Sequence, residues 1–225
     1  MQHEMTEAFR QLHEGYLEAM KRIPISSMRK AGTTATALFV TEKAVIISSV
    51  GDSRAVLSLG ASFQSTQNTI DALPLTVDHV ASNKLERQRV ESLGGFVEER
   101  GGTLRVNGTL VLTRSIGDAH LADFLSRTPH VISFTRDEVN MKCQPGVTGG
   151  SNEEIMPCFI ILASDGLWDV MTNQEAVTLV TITVRKYQAN WRDEGAFQEA
   201  AEILTQEAWV RGSTDNIGVC VVAIT

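Results

Sequence analysis

Residues Cys158 to Ala163 form an unbroken apolar run that leads directly into Ser164-Asp165-Gly166. A run of this length without polar alternation is the pattern of a strand covered on both faces. The chain must therefore build a layer on each side of that strand and still place a carboxylate at its end. A second segment repeats the theme in reverse, because Asp215-Asn216 precedes the apolar stretch Ile217 to Ile224. If the two strands are antiparallel neighbours, the end of one meets the start of the other and the acids converge.

An acid beside a core strand is costly to desolvate unless backbone donors, a base or a cation compensates it. Asp165, Asp169 and Asp215 are three such residues. Each also has a plain turn reading: Asp165-Gly166 and Asp215-Asn216 are good turn dipeptides, and Asp169 can cap the helix that follows. Two carboxylates about 4 Å apart repel by roughly 4 kcal/mol at an effective dielectric of 20, which a hard divalent cation relieves. All-oxygen ligation points to Mg²⁺ or Mn²⁺ rather than Zn²⁺.

Around these strands the sequence predicts a mixed fold. Met5, Phe9, Leu12, Tyr16 and Met20 recur at helical spacing, and Pro24 is expected to stop that helix. Thr34 to Val40, Ala44 to Val50 and Arg54 to Leu59 read as strands of a meander, with turns at Thr41-Glu42-Lys43 and Gly51-Asp52-Ser53. Gly60 to Ala72 reads as an exposed loop. Ser82 is the expected cap of a helix running through Leu85, Arg89 and Leu93 and ending at Gly94-Gly95. Asn107-Gly108 signals a hairpin between Leu104-Arg105-Val106 and Thr109 to Thr113. Met141 to Pro157 reads as a long insertion. Thr172 and Glu175 have capping-box spacing ahead of the stripe Val177, Val180, Val184 and Tyr187, and a last helix carries Phe197, Ala201, Leu204 and Ala208.

The chain has 225 residues, 43% hydrophobic and 21% charged, enough for a substantial core. Its formal charge of −7 offers no basic footprint for nucleic acid or an anionic membrane. No run approaches the roughly 18 apolar residues of a membrane span, and no apolar signal core opens the chain, so the expected setting is the cytoplasm or nucleus. Three cysteines make no metal spacing, and no disulfide framework is expected; Cys158 and Cys220 read as small buried hydrophobes.

Taken in order, the blocks Gly32-Thr33-Thr34-Ala35, Val50-Gly51-Asp52-Ser53-Arg54-Ala55, Leu75-Thr76-Val77-Asp78-His79 and Gly94-Gly95 are followed by Arg105-Val106-Asn107-Gly108 and Thr113-Arg114-Ser115-Ile116-Gly117-Asp118. Ser164-Asp165-Gly166-Leu167-Trp168-Asp169-Val170 and Gly212-Ser213-Thr214-Asp215-Asn216 complete the series, which resembles the metal-dependent type 2C Ser/Thr protein phosphatases over residues 32 to 222. The resemblance implies a four-layer α-β-β-α sandwich of two mainly antiparallel sheets, as a single domain. It also implies hydrolysis of phosphoserine and phosphothreonine in proteins by water activated on paired Mg²⁺ or Mn²⁺ ions. Carried over by position, Asp165 and Asp215 resemble ligands of one central ion, and Asp169 and Asp78, with Asp165, the acids of a weaker third site. Asp52 and Asp118 are expected to hold turns and to pair with Arg54 or Arg114, and Arg105, Asn107 and Gly108 to fix a hairpin.

The sequence departs from the family pattern at its start. The phosphate-gripping Arg, an early acidic pair and the Asp-Gly-His-Gly motif have no counterpart, and Gly218 replaces the hydroxyl residue common after Asp-Asn. The expectation is an incomplete catalytic domain without the opening strands and first helix, retaining no catalytic group beyond its metal ligands and self-associating through uncovered core. The competing readings are an inactive phosphatase-like binding module and an unrelated metal phosphohydrolase built on Asp165 and Asp169, the latter leaving the other blocks unexplained.

Overall fold

The computed structural model describes residues 2–22, 30–62, 70–143, 155–187, 190, 192 and 195–224. In chain order the elements are α1 (Gln2–Lys21), β1 (Gly32–Thr33), β2 (Ala35–Val40), β3 (Ala44–Val50), β4 (Arg54–Ser58), β5 (Ala61–Ser62) and β6 (Ala72–Pro74). They continue with α2 (Lys84–Ser92), β7 (Val97–Arg100), β8 (Thr103–Val106), β9 (Ile116–Gly117), β10 (His130–Thr135), α3 (Arg136–Cys143) and β11 (Ile155–Met156). The last are β12 (Cys158–Ala163), α4 (Asp165–Trp168), α5 (Asn173–Arg185), α6 (Gly195–Val210) and β13 (Val219–Ile224). The larger sheets run β13-β12-β4-β6 and β10-β3-β2. Helices beside antiparallel sheets bear out the expected α+β class.

The expected meander does not form as one sheet. β2 and β3 are neighbours, but β4 leaves them and pairs antiparallel with β12 and β6. Spacing alone could not separate the two outcomes, since Gly51 at φ 97° serves a turn between sheets as readily as one within a sheet.

Two compact units divide the chain, one of residues 1–37, 48–53 and 77–131, the other of residues 38–47, 54–76 and 132–225. In the second unit, Phe159, Ile161 and Ala163 of β12 pack with Val177 and Val180 of α5 and Ala200, Leu204 and Ala208 of α6. Cys158 and Ile160 point the other way, toward Val45 and Ile47 of β3, Leu57 and Val139 of α3. The apolar run is thus buried on both faces, as its pattern required. The capping box forms as read, the Glu175 amide reaching Thr172 Oγ1 and Glu175 Oε2 accepting from the Thr172 amide.

Several local expectations in this unit are corrected. Within the segment read as a loop, Gly60 to Ala72, β5 pairs with β11 and Ile70 is buried, while residues 63–69 lie outside the described residues. Helix α3 occupies the start of the segment read as an insertion, residues 144–154 of which lie outside the described residues, as does Pro24. Cys143, closing α3, forms a disulfide with Cys158 across a Cα separation of 5.7 Å, so Cys158 is buried but not a free thiol. Cys220 is free and exposed, against the expectation of burial.

In the first unit, α1 buries Phe9 and His13 and leaves Leu12 exposed, while the Gly117 amide donates to His13 Nδ1 at 3.1 Å. The cap of α2 is Asn83 rather than Ser82, its side chain accepting from the Leu85 and Glu86 amides. The inward face of α2 is Glu86 and Val90; Leu85 and Leu93 are 75% and 53% exposed. An acidic residue occupies the inner face because cations meet it there. Glu86 accepts from Thr113 Oγ1 at 2.8 Å and pairs with Arg114, while Arg89 Nη2 lies 3.3 Å away. Arg114 is therefore engaged by Glu86, and not by Asp118 as expected.

The Asn107-Gly108 turn forms with both residues at positive φ, but it closes only a Val106↔Leu110 bridge. The longer hairpin is β7–β8, turning through Gly101 and Gly102.

Burial pushes the Glu86 carboxyl up, but hydrogen bonds and charge from Arg114, with help from Thr113 and Arg89, outweigh it and hold the group at about 2. A depressed carboxylate contributes stability above its unfolded value and loses it as pH falls through the folded value. Glu86→Gln should cost about 3 kcal/mol at pH 7, leaving Arg114 without its charge partner. In denaturant titrations the gap to the parent should close as pH falls from 4.5 toward about 2.

Candidate metal centre

β12 and β13 pair antiparallel with Ala163 opposite Val219, so the residues after β12 and before β13 emerge at the same end of the sheet. There the Ser164 amide donates to Gly218 O at 3.0 Å, and the Gly218 amide donates to Ser164 Oγ at 3.0 Å. Ser164 Oγ donates in turn to Asn216 O at 3.0 Å, and Ser213 Oγ to Gly166 O at 2.7 Å. Four hydrogen bonds therefore tie the Asp165 turn to the Asp215 turn. A Cβ on Gly166 would stand 2.5 Å from the Asn216 carbonyl oxygen, so only glycine allows this approach.

Asp165 opens α4 and is half-buried; Asp215 and Asp169 are exposed. Each of the first two is oriented by a backbone amide, Gly166 N to Asp165 Oδ1 at 2.9 Å and Asn216 N to Asp215 Oδ1 at 2.6 Å. Burial raises the Asp165 pKa, and the charges of Asp215 and then Asp169 raise it further. These three acids are thus brought within electrostatic reach of one another, as the strand pattern implied. Among the described residues no group of three or more His, Cys, Asp or Glu side chains is placed to hold a metal ion. One or two carboxylates with water filling the remaining positions is how Mg²⁺ is commonly held, and the oxygen donors of Asp165 and Asp215 suit it.

Asp169 caps the C-terminus of α4, while the N-cap of α5 is Thr172, so its expected helix-starting role falls to Thr172. Below it, Trp168 Nε1 donates to Ala163 O at 3.0 Å, and the Arg54 guanidinium lies 5.3 Å from the Trp168 ring while donating to Asn173 Oδ1 at 2.6 Å. Ser164, Ser213 and Gly166 escape sequence reasoning; a serine one or two residues ahead of each acid is the signal available.

In the other unit Asp78 is half-buried and precedes His79, which is buried. The Gly51 carbonyl accepts from the His79 amide at 2.9 Å and lies 3.1 Å from Nδ1, which must carry the proton because a carbonyl can only accept. Burial, then the Arg114 charge, lowers this imidazole to about 4. Asp118 is buried at φ 47° and accepts from Ser115 Oγ at 2.7 Å, and a Cβ on Gly32 would strike its carboxylate. Its turn-holding role follows from these contacts. Arg105 Nη1 donates to Thr109 O, and the Phe96 amide to Asn107 Oδ1, so both side chains fix the turn.

The architecture is an antiparallel α+β fold with acids gathered at one end of a sheet, and comparison with known proteins narrows it. The sequence matches the Protein phosphatase 2C family pattern over residues 2–217. The chain belongs to the protein phosphatase 2C family. It is 37% identical over 180 residues to probable protein phosphatase 2C 32 of Oryza sativa subsp. japonica, covering 80% of this chain and 38% of that protein. Probable protein phosphatase 2C 11 of Arabidopsis thaliana is 34% identical over 219 residues, covering 97% and 47%. The chain thus spans less than half the length of these two relatives. Among solved structures, a sex determining protein of C. elegans superposes with a TM-score of 0.68 at 26% identity, covering 94% of this chain and 45% of that one. Serine-threonine phosphatase 2C of Toxoplasma gondii gives 0.69 at 23% identity, covering 96% and 65%, and so shares the fold.

A carboxyl with a raised pKa contributes stability below its unfolded value and loses it as pH rises through the folded value. Without divalent ions, Asp165→Asn should therefore raise the melting temperature at pH 7, and the gain should vanish once the pH drops below about 3.8. Saturating Mn²⁺ should stabilise the parent by about 2.7 kcal/mol at 100 times the dissociation constant. It should stabilise the variant less; equal Mn²⁺ shifts would count against Asp165 as a ligand.

Proposed function

We propose that this chain carries metal-binding acids of a metal-dependent protein serine/threonine phosphatase that acts on phosphoserine and phosphothreonine in proteins. The observation that carries the reading is the β12–β13 pairing, which sets Asp165 and Asp215 at one end of a sheet in a chain of the protein phosphatase 2C family. Asp165 and Asp215 would hold a Mg²⁺ or Mn²⁺ ion, with Asp169 the further acid on that side. The part given to Asp78 rests on the resemblance. When bound, the metal supplies a water acidic enough to attack phosphorus near neutral pH.

The chain's own residues prepare that chemistry in three ways. Ser164 and Ser213 fix the separation of the two acidic turns before any ion arrives. The Gly166 and Asn216 amides orient one oxygen of each acid. Mutual repulsion leaves the acids poised to accept a cation. Relatives named as phosphatases lend no support to an inactive binding module.

Phosphorylated proteins are the implied partners, without nucleic acid or membrane. Exposed Leu85, Leu93 and Phe96 are consistent with the self-association expected of uncovered apolar surface. Among the described residues no helix is long and apolar enough to cross a membrane, and the cytoplasm or nucleus is the setting we assign.

The 225 residues contain no Asp-Gly-His-Gly. The polypeptide as written should therefore hydrolyse a phosphothreonine peptide very poorly, since losing even one preorganised electrostatic group typically costs about 100- to 1,000-fold in rate. Joining a family-type segment that carries that motif and its phosphate-binding Arg should restore Mn²⁺-dependent turnover, and Asp215→Asn should abolish it. Efficient turnover by the bare chain would overturn the incomplete-site reading.

A further inference from the structure

The two sulfurs of the Cys143–Cys158 disulfide stand in unlike surroundings. Cys158 opens β12 and is 3% exposed, in one apolar cluster with Val45, Leu57 and Val139. Cys143 closes α3 and is half-buried, packed against that same cluster.

The two ends of α3 are held differently. At its start, Glu138 Oε2 accepts from the Thr135 amide at 2.7 Å and the Glu138 amide donates to Thr135 Oγ1 at 3.2 Å. The Arg136 amide also donates to Lys43 O at 3.1 Å. Beyond this first turn, Val139 is the one buried residue among the eight of the helix. Lys142 lies 5.6 Å from the Phe134 ring, so its contact is with the preceding strand and not with β12. A helix this short has little stability of its own. The disulfide is therefore what fastens the last turn of α3 to β12. In the cytoplasm or nucleus, the setting assigned above, thiols are kept reduced and a disulfide is usually transient.

We propose that Cys143 and Cys158 form a reversible thiol latch, opened and closed by low-molecular-weight thiols and disulfides of the glutathione type, which docks the last turn of α3 on β12 or releases it. Opening begins when an external thiolate attacks Cys143 Sγ, because Cys158 is enclosed by the core of this chain and is out of reach. The S–S bond breaks and its electron pair leaves on Cys158 Sγ. A second external thiolate attacks the external sulfur of the mixed disulfide, and Cys143 leaves with the electron pair of that bond. The two protein sulfurs take up the protons that the external thiols gave, so two external thiols become one disulfide. Closing runs back through the same mixed disulfide on Cys143, from which Cys158 Sγ expels the external thiol. The latch lies at the other end of β12 from Asp165, roughly 20 Å along the strand, and stands apart from the phosphatase reading.

The test uses the full 225-residue chain with Cys220→Ser, which removes the third thiol. Equilibrated in mixtures of reduced and oxidised glutathione and quenched with acid, the pair should pass from no free thiol to two as the mixture is made more reducing, and return when it is reversed. On reduction, amide hydrogen exchange over residues 136–143 should speed up about tenfold or more, and by a larger factor than over α5. Cys143→Ala should show the fast exchange in both buffers. With Cys158→Ala, oxidised glutathione should leave an adduct on Cys143, whereas Cys143→Ala should leave Cys158 almost unmodified. A pair that stays oxidised in reduced glutathione is a permanent bond and overturns the proposal, as does one that stays reduced in oxidised glutathione. Exchange in α3 that is indifferent to the redox state overturns it too, and so does an adduct that forms on Cys158 as fast as on Cys143.

Discussion

Everything at the candidate site depends on the antiparallel register of β12 and β13. With Ala163 opposite Val219, two acidic turns distant in sequence become neighbours, and a shift of one residue would turn the apolar side chains of β12 to the wrong faces. That shift is resisted on both sides at once, by Phe159 and Ile161 against α5 and α6 and by Ile160 against Val45 and Ile47. Burial energy in two layers thus fixes the position of carboxylates that contribute nothing to burial themselves.

Much of this was legible because it rests on local pattern. The unbroken apolar run announced a strand covered on both faces, and Thr172 with Glu175 announced the start of α5. What could not be read depends on partners remote in sequence. Arg54 to Leu59 has the same strand signature in either sheet, and only packing decides that β4 pairs with β12. The sequence of helix α2 does not show which face turns inward; Glu86 does, because Arg114 and Thr113, far along the chain, compensate its charge. Cys158 behaves likewise: its burial followed from the run, but its bond to Cys143 required α3 to be recognised as a helix.

The acids were visible as a pattern, while the clamp between them was not. Ser164, Ser213 and Gly166 are common turn residues, and their significance appears only when Gly166 is found against the Asn216 carbonyl. A hydroxyl that bridges two backbones leaves no periodic trace in sequence.

The clamp also explains how like charges persist side by side. Repulsion between Asp165 and Asp215 favours separating the turns, and the raised Asp165 pKa records that tension together with the cost of burial. Against it stand four hydrogen bonds between the turns, each contributing about 1 kcal/mol net. The backbone can therefore hold the acids in place before a cation arrives, so an incoming ion meets a preformed pair and need not order the chain to bind.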